Sequence, residues 1–153
     1  MQSIVHELKY KQNPQLGHYL GRLCGENIKG SNFVRDIDLL VPVPLHPKRE
    51  RQRGYNQSME ICKGISAVTG IPIDYATLRR VVDNKTQTKN SRFDRWKNVE
   101  DIFLLANAEA FAGKHILLVD DVITTGSTIE SCAKEILKSV DSRISIYALA
   151  TAN

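Results

Sequence analysis

The sequence predicts an α/β domain built on a mainly parallel sheet. Short apolar runs of strand type alternate along the chain with segments whose apolar residues recur every three or four positions. The run Ile116–Val119 is wholly apolar and flanked by polar residues, as in a central parallel strand buried on both faces. No internal repeat, low-complexity tract or linker interrupts the 153 residues, a length that one hydrophobic core can serve. A single domain over 1–153 is therefore expected.

The elements follow in order. Gln2–Lys11 (Ile4, Val5, Leu8) and Gln15–Ile28 (Leu16, Tyr19, Leu20, Leu23) hold helical spacing and are separated by Asn13-Pro14, which gives an opening pair of helices. Asp38–Val43 is a short apolar strand stopped by Pro44, and the basic stretch after it reads as a long loop. From Asn56, helical spacing resumes through Met59, Ile61, Cys62, Ile65 and Val68 until Thr69-Gly70 stops it; Ile71-Pro72-Ile73 then starts an extended element. Thr77–Val82 reads as a strand and Asp83–Asn98 as a polar, basic flap with Phe93 and Trp96 as apolar anchors. Asp101–Leu105 is a strand, Asn107–Ala112 a short helix, His115–Val119 the most apolar strand, Gly126–Ser139 a helix and Arg143–Ala150 a final strand.

Composition narrows the function classes. Hydrophobic residues at 42% and charged residues at 25% are too apolar for a disordered chain. No run approaches the ~18 apolar residues of a membrane span, and the first residues, MQSIVHELKYK, lack the apolar stretch of a signal peptide. No membrane insertion and a cytoplasmic location are expected. Cys24, Cys62 and Cys132 form no CxxC pair and sit among apolar neighbours in helix-like segments, so they are expected to be reduced and to pack as small hydrophobes. The net charge of +4 is unevenly spread: between His46 and Asn98 stand twelve Lys/Arg against five Asp/Glu. That basic middle suits an anionic ligand, a polyphosphate or a nucleic-acid backbone, and composition does not choose between them.

The chemistry concentrates after Ile116–Val119. Asp120 and Asp121 follow at the carboxyl end of the strand, where open α/β sheets bind ligands, and two carboxylates are too costly to bury there unpaired. Thr124, Thr125, Gly126, Ser127 and Thr128 then make a hydroxyl-rich turn into the next helix, whose unsatisfied N–H groups and dipole attract a phosphate. No Gly-Lys-Ser/Thr is present, which excludes a Walker A loop. A carboxylate pair beside a monophosphate cradle suits a ligand with vicinal hydroxyls near a phosphate, as in a ribose 5-phosphate.

Over the ten residues Val119–Thr128 the chain resembles the phosphoribosyl diphosphate (PRPP) signature of type I phosphoribosyltransferases. Two further segments are similar to the ComF family of competence-associated phosphoribosyltransferase-like proteins. They are Val41–Gln57, VPVPLHPKRERQRGYNQ, and Arg79–Val99, with Arg80, Thr86-Gln87-Thr88, Arg92, Arg95 and Asn98-Val99. Leu8-Lys9-Tyr10 is similar to a short family segment ahead of the first core strand. The resemblance implies a type I phosphoribosyltransferase fold, a mainly parallel Rossmann-like sheet flanked by helices, with Asp83–Lys97 as the flexible hood. Many ComF proteins carry an N-terminal cysteine-rich zinc module. No zinc-spaced cysteines precede the first helix here, so that module is expected to be lacking or to belong to a longer chain.

The resemblance also assigns roles. Asp120 and Asp121 would be the catalytic pair holding the ribose hydroxyls, and Thr124–Thr128 would hold the 5-phosphate. Lys48, Arg49 and Arg53 on the Pro44–Gly54 loop, with Lys9, would hold the diphosphate, to whose oxygens arginine forks are well suited. Mg²⁺ is the expected cofactor, carried by PRPP; no direct protein ligand is expected for it, with Asp120 and Asp121 as the alternative should the protein supply one. The expected reaction transfers a phosphoribosyl group from PRPP to a nitrogen nucleophile that no residue identifies. The competing expectation is a non-enzymatic module in DNA uptake, working with competence proteins and binding single-stranded DNA through the basic middle, with Tyr55, Phe93 and Trp96 available for stacking. A homodimer is a candidate assembly.

Overall fold

The structure, a computed structural model, describes residues 13–83 and 102–152. The first expected helix, Gln2–Lys11, and nearly all of the expected flap lie outside them. The elements in chain order are α1 (Pro14–Ile28), α2 (Asn32–Arg35), β1 (Leu39–Pro42), α3 (Pro47–Arg53), α4 (Gln57–Thr69), β2 (Leu78–Arg80), β3 (Phe103–Leu105), a 3₁₀ turn (Ala108–Phe111), β4 (His115–Ile123), α5 (Ser127–Ser139) and β5 (Arg143–Thr151).

β1, β4 and β5 form a parallel sheet in the order β1-β4-β5, with Leu39 opposite Ile116 and His115 opposite Arg143. The extended element expected at Ile71–Ile73 runs beside β1: Leu40 N–H donates to Pro72 O and Asp74 N–H to Leu40 O, each at 2.9 Å. β4 explains why its sequence reads as uniformly apolar. Successive side chains leave opposite faces of a strand. Leu117 and Val119 therefore enter a core with Cys24 of α1 and Ile61, Cys62 and Ile65 of α4. Ile116 and Leu118 enter a second core with Ile129, Cys132 and Ile136 of α5, and with Phe103 and Phe111. All four are fully buried.

α1 lies against α4 at backbone distance. A Cβ on Gly64 would stand 2.2 Å from His18 O, and one on Gly21 would stand 2.2 Å from Ile61 O, so glycine at these two positions sets how closely the helices approach. α1 begins at Asn13, whose side chain accepts from Leu16 N–H, with Pro14 in the first turn. The three cysteines are free and buried, one in each of α1, α4 and α5, as expected.

Two expectations need correction, and the pairing of β2 and β3, on which no expectation was stated, is settled by the structure. The basic stretch after β1 is in part a helix, α3: His46 caps it by accepting from Lys48 N–H, Pro47 fits the first turn, and Gly54 ends it. With no apolar residue between Pro47 and Arg53, the period that signals a helix was absent there. β4 does not stop at Val119 but runs to Ile123, because β5 continues beside it and pairs Asp120 with Ala148 and Ile123 with Thr151. β2 and β3 do not join the parallel sheet. They pair antiparallel with each other, with Arg80 opposite Phe103.

Candidate functional site

Asp120 and Asp121 stand on β4 beyond its apolar segment. Asp121 is 5% exposed, and its backbone N–H donates to Asp120 Oδ1 at 2.8 Å. The same oxygen accepts from Ser58 Oγ at 3.1 Å. Burial, and then the negative charge of Asp121, push the Asp120 carboxyl up to about 7, against the pull of these two hydrogen bonds. At neutral pH this carboxyl is thus poised between its two forms, a state that hydroxyl donors or a cation would resolve in favour of the anion.

The Ser58 contact depends on how α4 starts. Asn56 accepts from Ser58 N–H at 2.9 Å and Met59 N–H at 3.4 Å, while its amide donates to Val43 O at 3.0 Å. Val43 N–H in turn donates to Val119 O at 2.9 Å. One buried asparagine thereby joins the start of α4 to Val43, just past β1, and the backbone of Val43 is itself tied to β4 just before the acidic pair. An asparagine ahead of a helical pattern is a cap signal in sequence. That Ser58 would reach a residue 62 positions away is not readable there, because it depends on the parallel order of β1 and β4.

Past β4 the chain turns through Thr124, Thr125 and Gly126 into α5. Gly126 holds φ 80°, a left-handed conformation costly for any residue with a Cβ, and an added Cβ would meet nothing within 4 Å, so the constraint is in the backbone. Thr125 Oγ1 and Ser127 Oγ are 3.0 Å apart, and Ser127 N–H donates to Thr125 Oγ1 at 3.4 Å. Asp120 and Thr124, Thr125, Gly126, Ser127 and Thr128 line one small concave pocket, together with Val122, Ile123 and Ile129.

The cationic side is built by α3 and β2. Arg49 Nε donates to Asp83 Oδ1 at 3.0 Å. Burial acts to raise the Asp83 carboxyl, but the hydrogen bond and charge of Arg49, with the charge of Lys48, outweigh it and hold the group below the usual carboxylate range. Arg80, which closes β2, is buried with its guanidinium 5.5 Å from the centre of the Phe103 ring, a cation–π contact. Burial, then the Arg49 charge, lower its pKa, opposed by Asp83 and Asp120. Arg80 therefore lies within electrostatic range of both the acidic pair and α3. Lys48 is exposed and Arg53 half-buried on α3; Lys9, Phe93 and Trp96 lie outside the described residues.

No group of three or more His, Cys, Asp or Glu side chains suited to a metal ion occurs among the described residues. Mg²⁺ is commonly held by one or two carboxylates together with a substrate's phosphates, and the Asp120–Asp121 pair, with one carboxyl raised by burial and like charge, fits that mode. No helix among the described residues is long and apolar enough to cross a membrane.

Residues 56–153 match the family model of the phosphoribosyl transferase domain. Over 153 residues the chain is 31% identical to Competence protein F of Haemophilus influenzae, a match that covers 97% of this chain and 67% of that protein. The chain belongs to the phosphoribosyl transferase domain family, in its ComF branch. It is also 31% identical over 149 residues to the DNA utilization protein YhgH of Salmonella typhimurium, covering 95% of this chain and 65% of that one. This ComF-family chain thus spans about two thirds of the length of the curated relatives it matches. Among solved structures it resembles glutamine PRPP amidotransferase from B. subtilis, with a TM-score of 0.59 at 17% identity, over 86% of this chain and 25% of that one. Its fold is the type I phosphoribosyltransferase fold.

Proposed function

We propose that this ComF-family chain binds PRPP and transfers its phosphoribosyl group to a nitrogen nucleophile. The observation that carries the reading is the shared pocket of Asp120 and the Thr124–Thr128 turn at the end of the central strand. It sets a diol acceptor beside a cluster of hydroxyls and N–H groups of the kind a phosphate takes. Family membership adds the expectation of a phosphoribosyl ligand.

In this reading Asp120 and Asp121 accept from the ribose 2- and 3-hydroxyls, the turn holds the 5-phosphate, and Lys9, Lys48, Arg49 and Arg53 hold the diphosphate. The bond from ribose C1 to the diphosphate oxygen breaks with its electron pair leaving on diphosphate. A C1–N bond forms to the acceptor, whose proton passes to solvent. The transition state carries positive charge on the ribose ring, as in glycoside cleavage, and the carboxylate pair stabilises it electrostatically. Asp120 and Asp121 are the carboxylates that would help hold a PRPP-borne Mg²⁺, which would supply charge neutralisation for the departing diphosphate. The test is diphosphate release from PRPP and Mg²⁺ across a panel of nucleobases and simple amines. One acceptor that releases diphosphate in proportion to nucleoside monophosphate or phosphoribosylamine formed is the expected result; no release with any acceptor would remove the transferase step.

A second reading rests on the names of the relatives, a DNA utilization protein and a competence protein, together with the basic surface of α3. In it the chain serves DNA uptake, alongside competence proteins, by holding single-stranded DNA. Salt-dependent binding of single-stranded DNA that survives loss of both aspartates supports this module; binding that requires them does not.

A further inference from the structure

We infer that the Asp83 carboxylate is an internal occupant of the anion site on α3, which a phosphoryl oxygen must displace from Arg49. The inference rests on the proposed diphosphate role of Arg49 and names a competitor for it. Asp83 lies 34 residues beyond Arg49 and is brought to it by β2, so the contact is made by the fold and not by the local chain. Its geometry is that of a charge-assisted hydrogen bond, 3.0 Å from Arg49 Nε to Oδ1. The charge of Lys48 acts on the same carboxylate, and Arg80 is close enough to feel it. His46 Nδ1 accepts from Lys48 N–H at 3.3 Å, which fixes the ring at the start of α3.

A carboxylate oxygen and a phosphoryl oxygen present the same charge and acceptor geometry to a guanidinium. Arg49 thus already holds, beside the charge of Lys48, the chemical group it would take from a ligand. The pair is also exchangeable: the side chains are 33% and 15% exposed, and ion pairs open to water are weak. A diphosphate, with several charges, can displace a single carboxylate. Asp83 then sets the affinity threshold of the site, so that a polyanion enters and a lone weak anion does not.

The experiment is calorimetric titration of the chain with inorganic diphosphate. Removing the carboxylate in Asp83→Asn is expected to tighten binding about three- to tenfold, in keeping with the worth of a partly exposed ion pair. Asp83→Ser, which lacks the amide as well, should give the same gain. In an Arg49→Gln background the gain should vanish, the signature of a pairwise interaction in a double-mutant cycle. Glu50→Gln, a carboxylate on α3 itself, controls for local charge and should give clearly less. Unchanged or weaker binding by both Asp83 variants overturns the inference. So does an equal gain in Glu50→Gln or in the Arg49→Gln background, or no diphosphate binding in any variant. Failure of the PRPP reading looks different: the chain would take diphosphate, with the Asp83 gain intact, and show no binding of PRPP beyond that.

Discussion

Replacing Asp120 with asparagine should make the ligand-free protein more stable at pH 8. In the folded chain the Asp120 carboxyl sits at about 7, against an ordinary aspartate value of 3.8, because it is buried beside Asp121. Since the folded pKa is raised, the folded state binds more protons than the unfolded state between about pH 4 and pH 7, and stability falls as pH rises through that window. The cost is absent below pH 4 and complete above pH 7. At about 1.4 kcal/mol per pH unit, the gap of about three units sets a ceiling of about 4 kcal/mol. Relaxation around two coupled carboxyls makes about 1–3 kcal/mol the expected gain. The asparagine side chain of the variant carries no charge, keeps an oxygen to accept from Ser58 Oγ and Asp121 N–H, and offers an amide donor toward Asp121. At ~2–4 °C per kcal/mol for a chain of this size, the melting temperature at pH 8 should rise by about 2–12 °C, and the difference should shrink toward zero at pH 4. Thermal melts followed by circular dichroism at both pH values measure it. A variant no more stable than the parent at pH 8, or a gain that is the same at pH 4, would refute the claim that this carboxyl is held in an unfavourable state.

Two further predictions concern packing. Gly64→Ala should destabilise the chain by about 3 kcal/mol or more in urea titration, since its Cβ would meet backbone atoms of α1 at 2.2–2.7 Å and the two helices would have to part. An alanine at the exposed Gly30, where no atom lies within 4 Å of the added Cβ, should change little. Cys62 and Cys132 should resist alkylation at pH 8 in the native state and react on unfolding, because burial pushes both thiols far above their ordinary range. Rapid labelling of either in the folded protein would contradict their place in the core.

Much of this fold is legible in the sequence, and the reason differs by element. β4 announces itself because a strand buried on both faces has to be apolar at every position from Ile116 to Val119. α4 and α5 carry the helical period on the face that meets the sheet, as Ile61, Cys62 and Ile65 do in one and Ile129, Cys132 and Ile136 in the other. α3 is hidden because it buries no residue, and a helix without an apolar stripe leaves only its caps as a trace. β2 and β3 are seen as strands, but their partnership joins residues far apart, and a period of two says nothing of partner or direction. The candidate site divides in the same way. Asp120, Asp121 and the Thr124–Thr128 turn are contiguous, so their chemistry is visible as a motif. Ser58, Asn56, Arg80 and Asp83 reach the site only through tertiary contacts, and no local pattern singles out those contacts.

The central claim is that Asp120 and Asp121, with the turn that follows them, form a ribose-phosphate site. Calorimetric titration of PRPP in the presence of Mg²⁺ into the parent chain and into the doubly substituted Asp120→Asn, Asp121→Asn chain tests it most directly. Saturable binding to the parent and its loss in the folded double variant are expected, a change of at least about a hundredfold, or ~3 kcal/mol. Unchanged PRPP affinity in the double variant would contradict it.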